Sequence, residues 1–95
     1  MSLIEVLKKG NYTLIDVREP MELDVDGSIE GAINIPLGEV EMRKDEILSL
    51  KGDVVVFCRG GHRSAKALEF LQNEGLENGI NGGGYSSLSE ILDTI

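Results

Sequence analysis

The residues best equipped for chemistry stand in one run, Cys58-Arg59-Gly60-Gly61-His62-Arg63-Ser64. Cys58 is the one cysteine of the chain, and a thiolate is a strong nucleophile when its surroundings keep it ionised. Two consecutive glycines let the backbone curl so that several N–H groups point inward and form a nest for an anion. A helix starting just after them would add its unpaired N–H groups and about half a positive charge. Arg59 and Arg63 place full charges beside the same loop. A free thiol with a pKa near 8.5 is only about 3% ionised at pH 7. Raising that to roughly 90% requires about 3.4 kcal/mol of differential interaction, more than the roughly 2 kcal/mol one helix terminus supplies. Loop amides and an arginine must add the rest. The chemistry further requires a sulfur open to solvent.

The other candidates carry less. His62 faces solvent or contacts a substrate, in preference to acting as a base for Cys58. Asp16 and Arg18 read as structural support, with Asp16 accepting hydrogen bonds from a neighbouring loop at a strand end and Arg18 bracing it. The acidic run Glu19, Glu22, Asp24 and Asp26 lacks the spacing of a calcium loop and reads as a solvated face. Gly82–Gly84 has no following Lys and Ser/Thr, so it reads as a turn and not as a phosphate loop. One Cys and one His fall short of a structural metal site, and no metal or cofactor is expected.

These residues need elements to hold them. Asp53–Cys58, DVVVFC, is an unbroken apolar strand suited to burial on both faces of a parallel sheet. Gly60-Gly61 breaks it, and a helix runs from about His62 to Glu74, with Ala65, Leu68 and Leu71 inward and Lys66, Glu69 and Asn73 outward. Upstream, Ser2 and Glu5 have capping-box spacing for a helix that ends at Gly10. Thr13–Val17 and Ala32–Ile35 read as strands, and Leu37–Leu50 as one or two short helices. Gly79–Asn81 is a brief strand and Tyr85–Thr94 a final helix. This alternation predicts a single α/β domain over residues 1–95, three-layered, with a mainly parallel sheet flanked by helices. Ligands of such sheets sit beyond the carboxyl ends of the strands, where Cys58 lies.

The 95 residues are 41% hydrophobic and 27% charged, with a formal net charge of -8. That balance argues against nucleic acid or an anionic membrane as partner. An anionic substrate must be drawn in by a local positive patch against the global field. No apolar run approaches the roughly 20 residues needed to span a bilayer. No signal peptide is read at the start, so a cytoplasmic monomer is expected, or a periplasmic one if a targeting segment precedes Met1.

Leu14-Ile15-Asp16-Val17-Arg18-Glu19-Pro20, then Gly31-Ala32-Ile33-Asn34-Ile35-Pro36, then the Cys58–Ser64 run resemble the three landmark segments of rhodanese domains, in order. The resemblance runs from about Tyr12 to the end and looks most like the small phage shock protein E type. Two places depart from the pattern: Gly27-Ser28-Ile29 stands where Gly-His-Ile is usual, and Gly83-Gly84 leads to Leu88 with no Trp. The resemblance implies a ping-pong transfer of sulfur through a Cys58 persulfide. The donor would be a small anion such as thiosulfate, or a persulfide, and the acceptor cyanide or a thiol, with a protein acceptor as a further partner. Arg59 would hold the donor, Arg63 would close the loop, and Gly60, Gly61, His62 and Ser64 would complete the binding loop. Two other readings stay open. One is a sulfur-carrying or redox-sensing module serving a protein partner. The other is a small phosphatase, disfavoured because only four residues separate Cys58 from Arg63, one fewer than phosphatases use to wrap a phosphoryl group.

Overall fold

The computed structural model describes Met1–Ile95. Its central strand is β3 (Asp53–Cys58), with β1 (Tyr12–Asp16) on one side and β4 (Gly79–Gly84) on the other, while β2 (Ile33–Asn34) lies outside β1. All three pairings are parallel, giving the order β2-β1-β3-β4. Alternate residues of β3 serve opposite faces. Val54, Val56 and Cys58 join Ile15, Val17, Ile35, Val40, Ile47, Ala67 and Leu71 beneath α3 (Leu37–Val40), α4 (Lys44–Leu48) and α5 (His62–Asn73). Val55 and Phe57 meet Val6, Leu7, Leu14 and Leu88 beneath α1 (Leu3–Lys9) and α6 (Tyr85–Thr94). The apolar run of β3 thus feeds two cores at once, and the domain is a three-layer α/β fold. No helix is long and apolar enough to cross a membrane.

Parallel pairing gathers the strand ends on one edge. Asp16 is in register with Phe57, and Cys58 with Gly84, so residues leaving β1, β3 and β4 meet at the mouth of one site. The Ser2–Glu5 capping box starts α1, and Gly10 ends it in the left-handed region.

Two expectations need correction. The Gly82–Gly84 segment is not a turn but the end of β4, with a shift of register opposite Val56 and Phe57. Its lack of side chains is a packing requirement: a Cβ on Gly82 would lie 2.8 Å from Val55 Cγ1. The inward stripe of α5 is Ser64, Ala67 and Leu71, with Leu68 packed against the same core as expected, while Ala65 is exposed. The acidic run lies on a helix that was not foreseen, α2 (Pro20–Asp26), which buries no residue of its own and leaves Glu19, Asp24 and Asp26 exposed, as expected of a solvated face. Pro20 at its first position and the reciprocal Glu19–Glu22 capping box start it.

Gly84 couples the sheet to the loop, because a Cβ there would lie 2.5 Å from the carbonyl oxygen of Arg59. Gly84→Ala should therefore lower stability by about 1–3 kcal/mol and speed thiol modification of the buried Cys58, because a less stable fold opens more often. Urea unfolding with a rate measurement of alkylation checks both. Wild-type values in both would contradict this contact.

Candidate active site

At the end of β3 the chain turns through Arg59 and Gly60 to Gly61, whose φ of +92° is a conformation that glycine adopts without penalty. Gly61 caps α5 yet offers it no side chain. The sulfur of Cys58 fills that role. It accepts the Gly61 amide at 3.0 Å and the Ser64 amide at 3.4 Å, with Ser64 Oγ also at 3.4 Å. Burial pushes the Cys58 thiol up, but the Ser64 hydroxyl and amide and the amides of Gly61 and Gly60 outweigh it. The net shift is downward.

Ser64 is held in turn by a residue that the sequence reading did not single out. Ser64 Oγ has the Gly61 carbonyl at 3.1 Å and Asn81 Oδ1 at 2.8 Å within reach. Asn81 donates from Nδ2 to the Gly61 carbonyl at 3.1 Å and accepts the Gly83 amide at 2.9 Å, which fixes its orientation. One hydroxyl proton thus has three acceptors, namely the Gly61 carbonyl, Asn81 and, when it is ionised, the Cys58 sulfur. Asn81 lies within a glycine-rich stretch, and only the β3–β4 pairing brings it to the loop.

The arginines behave differently from one another. Arg59 is exposed and pairs with no carboxylate, and with Arg18, Asp26, Tyr85 and Ser86 it walls a cavity of about 330 Å³. Arg63, expected to lend its charge to the loop, instead grips Glu22 of α2 with both terminal nitrogens, at 2.7 and 2.8 Å. The Arg63 guanidinium and the Glu19 amide hold the Glu22 carboxyl down at about 2. His62 is exposed and makes no hydrogen bond to Cys58. The expectation of an open sulfur is also corrected: Cys58 is 1% exposed, because the alternation of β3 turns it into the core beneath α5.

Asp16 and Arg18 form a buried pair at the neighbouring strand end. Arg18 Nε donates to both Asp16 oxygens at 3.0 Å and Nη2 to Oδ2 at 2.7 Å, and Nη2 also reaches the Gly27 carbonyl at 3.0 Å. The guanidinium lies 4.4 Å from the centroid of the Tyr85 ring, within cation–π range. The Asp16 carboxylate thus accepts from Arg18, while its carbonyl accepts the Ile35 amide and Asn34 Nδ2 at 2.9 Å each, and the Arg18–Asp16 pair ties β1, the end of α2 and the start of α6 together.

A model of the rhodanese-like domain matches residues 2–90. The chain belongs to the rhodanese-like domain family. It is 38% identical over 76 residues to the thiosulfate sulfurtransferase PspE of Escherichia coli, covering 79% of this chain and 72% of that protein. It is 45% identical over 62 residues to the uncharacterized YqhL of Bacillus subtilis, covering 65% of this chain. The chain spans about half the length of that relative, 48%. Among solved structures, a rhodanese-related protein of Thermoplasma volcanium superposes with a TM-score of 0.73 at 45% identity, over 93% of this chain and 84% of that one. A Rhodopseudomonas palustris protein of unknown function, described as a possible tyrosine phosphatase, gives 0.79 at 28% identity, over 92% of this chain and 74% of that one.

The Glu22–Arg63 pair sets an acid limit. A carboxyl held lower in the folded state contributes stability that is present above its ordinary value of 4.5 and is lost as pH falls through about 2. Glu22→Gln should therefore flatten the decline in unfolding free energy across that window. A decline as steep as in the wild type would contradict the pairing.

Proposed function

We propose that this rhodanese-like domain is a sulfurtransferase in which Cys58 takes a sulfane sulfur from thiosulfate or a persulfide and passes it to cyanide or a thiol. The observation that carries this reading is the Cys58 sulfur, lowered in pKa and facing the amides of Gly61 and Ser64. The sulfurtransferase relative supports the same assignment.

In the first step the Cys58 thiolate attacks the outer sulfur of the donor. A bond forms between Sγ and that sulfur, the donor's S–S bond breaks, and its electron pair leaves on sulfite when the donor is thiosulfate. In the second step the acceptor attacks the terminal sulfur of the persulfide. The Cys58–sulfur bond breaks and the thiolate returns, so no outside oxidant or reductant is needed. The terminal sulfur of the persulfide is anionic, and the loop amides with the start of α5 stabilise it as they stabilise the thiolate. Arg59, free of carboxylate partners, is the cation available to steer the donor. Because Cys58 is nearly closed to solvent, the residues around the sulfur must yield for the outer sulfur of the donor to reach it.

A phosphatase reading has the Rhodopseudomonas palustris neighbour in its favour. Against it stand the short Cys58–Arg63 spacing and the capture of Arg63 by Glu22.

Incubation with thiosulfate should raise the intact mass by one sulfur atom, cyanide should remove it, and Cys58→Ser should abolish the gain. Bulky maleimides should modify Cys58 more slowly than small alkylating agents. No mass gain with thiosulfate or an organic persulfide, or release of phosphate from an aryl phosphate, would overturn the proposal.

A further inference from the structure

Two guanidinium groups beside the nucleophile would suit a doubly charged donor, but only one of them is free. Both terminal nitrogens of Arg63 engage Glu22, fork to fork, the geometry in which a carboxylate and a guanidinium bind most strongly. Glu22 is itself anchored, because its carboxylate also accepts the Glu19 amide at 2.8 Å in the capping box of α2. The carboxyl stays ionised across the working range of pH, so the pair is neutral there. Arg18, the other cation nearby, is balanced by Asp16 at 2.7 Å. Arg59 alone remains unpaired, and it shares its cavity with Asp26. The chain around them carries a net charge of -8. The start of α5 adds only a fraction of a positive charge.

We infer that Glu22 sets the charge of the sulfur donor: by cancelling Arg63 it makes the site a receptor for singly charged donors, such as thiosulfonates and organic persulfides, in preference to a dianion such as thiosulfate. This rests on the proposal that Cys58 takes sulfur from a donor. Glu22 contacts neither the donor nor the reacting sulfur; it acts through Arg63 and is a positioning residue.

The test uses two donors that carry the same kind of outer sulfur and differ by one charge, thiosulfate and methanethiosulfonate. With either, the bond from Cys58 Sγ to the outer sulfur forms, and the electron pair of the broken S–S bond leaves on sulfite or methanesulfinate. Loading of Cys58 is followed by intact mass over a range of donor concentrations, and each efficiency is normalised to the donor's rate with a free thiol. Wild type should favour methanethiosulfonate. Glu22→Gln can keep the bond to the Glu19 amide but releases Arg63, and should move the ratio toward thiosulfate about tenfold at low salt and less at high salt. Glu22→Asp, which retains the charge, should stay near the wild-type ratio. Arg63→Gln, which leaves Glu22 uncancelled, should move the ratio away from thiosulfate. A preference for thiosulfate in wild type, or ratios unmoved in Glu22→Gln and Arg63→Gln while loading continues, would overturn the role of Glu22 alone. Failure of both donors to load wild type would overturn the sulfur-transfer proposal itself.

Discussion

Helix α5 starts at His62 behind a cap, Gly61, that has no side chain, and the sulfur of Cys58 is the acceptor that the Gly61 and Ser64 amides find. Much of the site follows from this contact. The sulfur must reach the helix start, so β3 has to end at Cys58. The helix must begin immediately, so the intervening residues must be a tight turn with a left-handed glycine. Ser64 must face the sulfur, and this sets the phase of α5, bringing Ala67 and Leu71 onto the core. The same contact favours the thiolate, since an anion is a better acceptor for those amides than a neutral thiol. Capping the helix and favouring the thiolate are therefore one interaction.

Around this centre the charges are arranged in pairs. Arg18 and Asp16 are both buried, and pairing is the condition on which such charges survive away from water. Their bonds reach the Gly27 carbonyl and the Tyr85 ring, so the pair works as a strut between helices on the rim. Arg63 and Glu22 form a second, partly exposed pair that pins α2 to the start of α5. Since α2 contributes nothing to either core, these polar contacts hold it against the mouth. The charge at the site is consequently set by what the arginines are bonded to, and not by how many the loop contains.

The sequence made the core of this arrangement readable for definite reasons. DVVVFC has no period-2 alternation, so burial on both faces followed; Gly60-Gly61 marked the loop, and the Ser2–Glu5 spacing marked the first helix. What escaped notice depends on contacts distant in sequence or on missing apolar pattern. The α2 helix buries no side chain and left no apolar stripe, although Glu19-Pro20 and Glu22 held its local start signal. Glu22 and Arg63 meet across 41 positions. Asn81 reaches Gly61 and Ser64 only because β4 lies beside β3. Gly82–Gly84 resembled a turn because glycine weakens strand propensity, whereas in the fold the absence of side chains lets the strand lie close to Val55 and Arg59. The inward placement of Cys58 was implicit in the alternation of β3, but the chemistry of the loop pointed to an open sulfur.

The central claim is that loop amides outweigh burial and keep the Cys58 sulfur negative. It is tested most directly by titrating the thiolate through its ultraviolet absorbance in wild type and Ser64→Ala, with Cys58→Ser as the blank. The account predicts a midpoint below that of a free cysteine in the wild type, and a rise when the Ser64 hydroxyl is removed. A wild-type midpoint at or above the free value would mean that burial prevails, and would contradict the account.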